Sequence, residues 1–186
     1  MNKAVLISIR PKWCEKIASG DKTIEVRKTR PKLQTPFKCY IYCTQSGVAL
    51  GAWGKHGKVI GEFTCDRIVD AWWDYAPDAI TREVTGGNLE ELDGIGMTDE
   101  ELFAYVGDRL SGHCYGWHIS DLRIYDAPRE LSEFWFPTER YCEKELCGGC
   151  PCDQVADVNG EYEFDCEWRR PLNRPPQSWC YVEEMT

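Results

Sequence analysis

Lys22, Glu25, Arg27 and Arg30 lie within nine consecutive residues, and their types suit the recognition of an anion. An ammonium meets phosphate as a compact point charge, whereas a guanidinium offers a planar fork that can donate two parallel hydrogen bonds. A carboxylate between them can accept hydrogen bonds from the edge of a base. The surrounding charge is one-sided: residues 1–60 hold 12 Lys+Arg against 3 Asp+Glu, although the chain as a whole carries −9. Attraction of phosphate follows the local potential over about a Debye length, roughly 8–10 Å at physiological salt, so overall acidity does not exclude a nucleic acid. Lys12, Lys16, Lys28, Lys32 and Lys38 extend this field and are assigned steering at most. The plainer alternative is that Glu25 and Arg27, two apart on one strand face, form an exposed ion pair of little energetic weight.

The flanking pattern indicates how these residues are held. Lys3 to Ile9 reads as a strand with Val5, Ile7 and Ile9 on one parity, and Pro11 suits the first position of a helix from Pro11 to Ser19 that Gly20 terminates. Thr23 to Arg27 alternates again: with Ile24 and Val26 toward a core, Glu25 and Arg27 point together into solvent or a cleft. Lys38–Thr44 and Lys58–Val69 are rich in β-branched and aromatic residues and read as strands. Residues 71–96 look irregular, and Thr98 with Glu101 forms a capping box for a short helix to about Val106. His113 to Tyr125 reads as a strand that Pro128 ends, with Tyr115, Trp117 and Ile119 on one face and His118 on the other. A last strand covers Gln177 to Val182. Short strands with two inserted helices suggest an α+β fold built on a small mixed barrel.

Other side chains carry two readings. Trp13 and the Trp72-Trp73 pair offer faces on which bases stack, although most tryptophans in a domain of this size belong to its core. His118 either lines the cleft or is an ordinary surface histidine. No Gly-x-Ser-x-Gly elbow and no phosphate-cradling P-loop occurs, which leaves those hydrolase classes without support.

The order strand, helix, Gly20-x-Lys22-x-x-Glu25-x-Arg27, strands, and then Trp117-His118-Ile119 before Leu131-Ser-Glu-Phe134 resembles the ASCH domain family, whose fold is a PUA-like β-barrel. The resemblance covers about residues 3–135 and looks closest to small proteins of phages and prophages. It implies RNA or nucleotide binding in a cleft with Lys22, Glu25 and Arg27 at its mouth and Arg30 and His118 nearby. It also implies an alternative, since one branch of such proteins hydrolyses N4-acetylcytidine with a lysine and a threonine three positions later. Lys22 matches that lysine, but Glu25 occupies the threonine position, and a neighbouring carboxylate favours the ammonium over a basic or nucleophilic amine. A third alternative is a protein-interaction module using the acidic C-terminal half.

That half contains a second chemical signal. Cys142, Cys147, Cys150, Cys152 and Cys166 fall within 25 residues, and Cys147-Gly-Gly-Cys150 has the spacing that lets two thiolates share one metal ion. The segment is weakly apolar, so structural zinc is the expected staple for an annex over residues 138–176, inserted between a domain of residues 1–137 and its closing strand at 177–186. The other six cysteines, Cys14, Cys39, Cys43, Cys65, Cys114 and Cys180, read as small buried hydrophobes. With 42% hydrophobic and 12% aromatic content the chain can fill one real core. No apolar run approaches the roughly 20 residues that cross a bilayer, and the N-terminus lacks a signal-peptide apolar region, so a reducing, cytoplasmic setting is expected. Metal analysis of protein purified without a metal column is expected to find close to one zinc per chain, lost on joint replacement of Cys147 and Cys150; a metal-free folded chain would refute it.

Overall fold

The structure is a computed structural model and describes residues 2–45, 55–75, 84–107, 111–137 and 171–185. β1 (Lys3–Ile9) passes through Pro11 at the first helical position into α1 (Pro11–Ser19), which stops at Gly20 with φ +86°. Glycine adopts that left-handed geometry without the steric penalty of a Cβ. There follow β2 (Ile24–Arg27), β3 (Phe37–Cys43), β4 (Lys58–Tyr75), β5 (Val84–Gly87), α2 (Asp99–Val106), β6 (Ser111–Arg129) and β7 (Trp179–Glu183). The predicted capping box is present: Thr98 accepts from the Glu101 amide and Glu101 accepts from the Thr98 amide.

The strands form one mixed sheet in the order β2-β6-β4-β3-β1-β7, with β5 paired to β4 beside this path. The expected closed barrel is therefore an open sheet, in which β2 and β7 are the ends and no ladder joins them among the described residues. β2 is only four residues long, its ladder is taken by β6, and the chain leaves extended pairing directly after Arg27. β1 and β3 run parallel at the centre, and β1 is buried on both faces from Ala4 to Ile9, as a covered parallel pair requires. Val5, Ile7 and Ile9 face one core with Phe63 and Trp117; Ala4 and Leu6 face another with Tyr40, Phe134 and Val182.

β4 and β6 run further than their sequences suggest, because register shifts bend them and let one ribbon serve three cores. Ala71 and Trp73 continue β4 past Val69 by alternating into a third cluster with Ile24, Val26, Leu102 and Phe103. Pro128 does not end β6: it falls where the ladder skips between Ile124 and Arg129, so its missing N–H removes no pairing bond. The cysteine-rich segment and its boundaries lie outside the described residues, and no helix among those described is long and apolar enough to cross a membrane.

Gly112 stands opposite Trp73, and a Cβ there would lie 2.0 Å from the indole of a side chain only 1% exposed. With no free volume to receive the methyl, Gly112→Ala is expected to lower stability by about 1–3 kcal/mol in urea unfolding; an unchanged midpoint would contradict this packing.

Candidate functional site

Alternation along β2 sets its two faces. Ile24 stands opposite His118, Glu25 opposite Trp117 and Arg27 opposite Tyr115 in the β6 register. Ile24 and Val26 enter the third cluster as expected. Glu25 and Arg27 turn the other way together, and of the two expected settings, solvent or a cleft, open solvent does not hold, since each is only 6% exposed. Their face is covered by the end of β1 and by the chain leading into β7, which alternation within β2 cannot reveal.

The three charged side chains form one linked cluster. Glu25 Oε1 lies 2.9 Å from Arg27 Nη2 and Glu25 Oε2 lies 3.3 Å from Lys22 Nζ. Lys22 Nζ also donates to Ile24 O at 2.8 Å and to Ile95 O at 2.7 Å. Burial pushes the Lys22 amine below the usual lysine value, while the charge and hydrogen bond of Glu25 pull it back. Three acceptors on three N–H groups fit the ammonium, and no lone pair is left to act as base or nucleophile. Arg27 Nη2 donates to Ser8 O at 2.6 Å, and Nη1 lies 3.3 Å from Ser178 Oγ and 3.4 Å from Ser178 O. A side chain from one end of the sheet thus bonds the backbone at the other. Two further links follow the same path, from Trp179 Nε1 to Thr29 Oγ1 at 3.1 Å and from the Lys32 amide to Tyr181 Oη at 2.7 Å.

Above the cluster lies a rim of cations on aromatic rings. Lys12, Lys16 and Lys22 place their ammonium groups 4.4, 5.2 and 5.5 Å from the centre of the half-buried Trp13 ring. Lys28 lies 5.5 Å from the Tyr105 ring, and Arg30 5.5 Å from the Tyr115 ring. α2 connects these groups, since Glu101 pairs with Lys12 while Tyr105, one turn later on the same helix face, meets Lys28. Burial raises the Tyr105 phenol above its usual value, with the nearby Arg27 charge opposing. Two shallow concavities of about 480 and 540 Å³ share Leu33 and Gln34; one is bordered by Arg30 and Lys32, the other by Lys3 and Lys38.

The structure thus joins Lys22, Glu25 and Arg27, places Arg30 beyond them at the surface, and sets His118 apart. His118 lies on the opposite face of the β2–β6 pair, with Nδ1 2.6 Å from Asp66 Oδ1. Trp72 is 47% exposed and Trp73 buried, as alternation along β4 dictates. Sequence reasoning missed Ser8, Ile95 and Ser178, whose contributions are backbone or hydroxyl groups that no local pattern marks. Among the described residues no group of three or more His, Cys, Asp or Glu could hold a metal ion. The five cysteines proposed as zinc ligands lie outside those residues.

Removing Glu25 charge leaves two cations buried beside one another. Glu25→Gln is expected to cost about 3–5 kcal/mol in chemical unfolding, whereas Lys12→Ala, which breaks a surface pair, leaves the midpoint nearly unchanged. Equal midpoints for Glu25→Gln and the wild type would contradict the assigned role.

No family model and no curated protein matches this sequence. Among solved structures, the chain is similar to the crystal structure of ASCH from Zymomonas mobilis, with 16% identity, a TM-score of 0.52, and coverage of 97% of this chain and 88% of that one. A serine-to-alanine mutant of the same protein gives 15% identity, a TM-score of 0.52, and coverage of 97% and 89%. At such identity the likeness is one of architecture: the chain has the fold of the ASCH domain.

Proposed function

We propose that the protein binds RNA, or a nucleotide-like ligand, across the rim formed by α1 and the residues that follow β2. The observation that carries this reading is the set of lysines around Trp13, continued by Lys28 on Tyr105 and Arg30 on Tyr115. Such a surface suits a single strand, because ammonium and guanidinium groups take phosphates while ring faces take unstacked bases. The concavities beside Arg30, Lys32 and Lys38 extend the same basic ground. Fold likeness agrees with this reading but does not establish it, since one fold hosts many functions.

In this reading Arg30 is a direct phosphate contact, and Lys22, Glu25 and Arg27 contribute from beneath by fixing the rim and adding net positive charge. His118 has no direct role, because it lies on the other face. The amidohydrolase alternative requires a free lone pair on Lys22, whose three donors are engaged by Ile24 O, Ile95 O and Glu25.

Fluorescence anisotropy with short single-stranded and hairpin RNAs, at low and physiological salt, tests the proposal. Saturable binding is expected to weaken in Lys12→Ala/Lys16→Ala, with the slope of log affinity against log salt shallower by about 1.4 for a single strand if both contacts are lost. Trp13→Ala is expected to lose about 1–3 kcal/mol of binding. Absence of binding at low salt would overturn RNA recognition, and full affinity in both variants would move the site elsewhere.

A further inference from the structure

The segment between β2 and β3 carries polar side chains on a fixed backbone. Pro31 is buried, the Lys32 amide donates to Tyr181 Oη at 2.7 Å, and Thr29 Oγ1 accepts from Trp179 Nε1 at 3.1 Å. Leu33 packs against the core that contains Trp117, as do Ile68 of β4 and Tyr115 of β6. A loop tied to β7 and to this core presents its outward groups at set positions, which lowers the ordering cost of any ligand they meet. Those groups border the concavity of about 480 Å³: Arg30, Lys32 and Gln34 are its polar members, and Pro31, Leu33 and Ile68 its apolar wall.

The two concavities differ in the charge they have to spare. Among the described residues Arg30 and Lys32 pair with no carboxylate, and no acidic side chain borders the concavity they share. The Arg30 guanidinium lies 5.5 Å from the centre of the Tyr115 ring, a contact that orients it without consuming its N–H donors. In the adjoining concavity of about 540 Å³, Lys38 lies 3.2 Å from Glu62, and Glu184 stands at the border, so positive charge there is already offset. A phosphate is therefore drawn to the Arg30 and Lys32 side. Gln34 is exposed on the ridge between the two, and its amide has no hydrogen-bond partner among the described residues. That amide holds a donor and an acceptor side by side, the pairing that reads a base edge.

We propose that the concavity beside Arg30 and Lys32 takes one nucleotide of a single strand and that Gln34 selects adenine there, an inference that rests on the RNA-binding function proposed above. Arg30 and Lys32 hold the phosphate, and the base lies against Pro31, Leu33 and Ile68. Gln34 Oε1 accepts from the adenine amino group while Nε2 donates to a ring nitrogen beside it. In an unpaired strand both the Watson–Crick and the Hoogsteen edges are open. Of the four bases adenine alone presents a donor next to an acceptor on both. Guanine offers two acceptors on its Hoogsteen edge, which would leave the amide oxygen facing another acceptor, and the pyrimidines offer the matching pair on a single edge and cover less of the apolar wall.

The test is fluorescence anisotropy of the full chain with a short labelled oligouridine strand and with the same strand carrying one central adenine, guanine or cytosine. The wild type is expected to bind the adenine strand about five- to tenfold more tightly than the other three, the lower part of the range for one bidentate base contact. Gln34→Ala is expected to bring that ratio to about one with the slope of log affinity against log salt unchanged, since no phosphate contact is lost. Arg30→Ala is expected to weaken all four strands alike, keep the ratio, and make the slope shallower by about 0.7. Equal affinity for the four strands, preference for another base, or an adenine preference that survives Gln34→Ala would overturn the assignment and leave RNA recognition standing. No binding of any strand at low salt would overturn both.

Discussion

A carboxylate held between two buried cations is the constraint on which the rest of this structure depends. Glu25 bonds Arg27 and Lys22 where all three are less than a tenth exposed, so none can lose its partners without leaving charge in a poorly solvated interior. The cluster keeps one positive charge in excess, offset by the carbonyls of Ser8, Ile24 and Ile95. Those carbonyls belong to β1, to β2 itself and to the loop before α2. Satisfying the charge therefore fixes three parts of the chain relative to one another. An open sheet whose end strands never pair acquires its closure from side chains.

This arrangement joins fold to proposed function. α1 carries Lys12, Trp13 and Lys16 directly over Lys22, and α2 touches both Lys12 and Lys28, so the rim takes its geometry from the cluster below. Exposed cations alone attract any polyanion without discrimination. Cations fixed against ring faces present phosphate and base contacts at defined separations, which gives selectivity for an unstacked strand a physical basis.

Local sequence carried the elements governed by neighbours in the chain. Pro11 and Gly20 bracket α1, Thr98 and Glu101 open α2, and alternation assigns Ile24 and Val26 to one face of β2. It also separates Glu25 and Arg27 onto the other face, but whether that face meets water depends on chain more than 150 positions away, at Ser178. The same distance hid the open topology, since strand order and the bulges that prolong β4 and β6 arise from pairing across the molecule. Cys14 and Cys43 show the limit at single residues. Their apolar surroundings are legible as burial, but the imidazole of His56 reaches Cys43 only through a turn that the strand pattern does not specify.

The most direct measurement is amide hydrogen exchange of the full chain with and without a short single-stranded RNA. The account predicts added protection concentrated in α1 and in residues 28–34, with the face of the β2–β6 pair that carries His118 and its partner Asp66 unchanged. Protection centred on that face instead, or no protection under conditions where the RNA binds, would contradict the placement of the recognition surface above the Lys22–Glu25–Arg27 cluster.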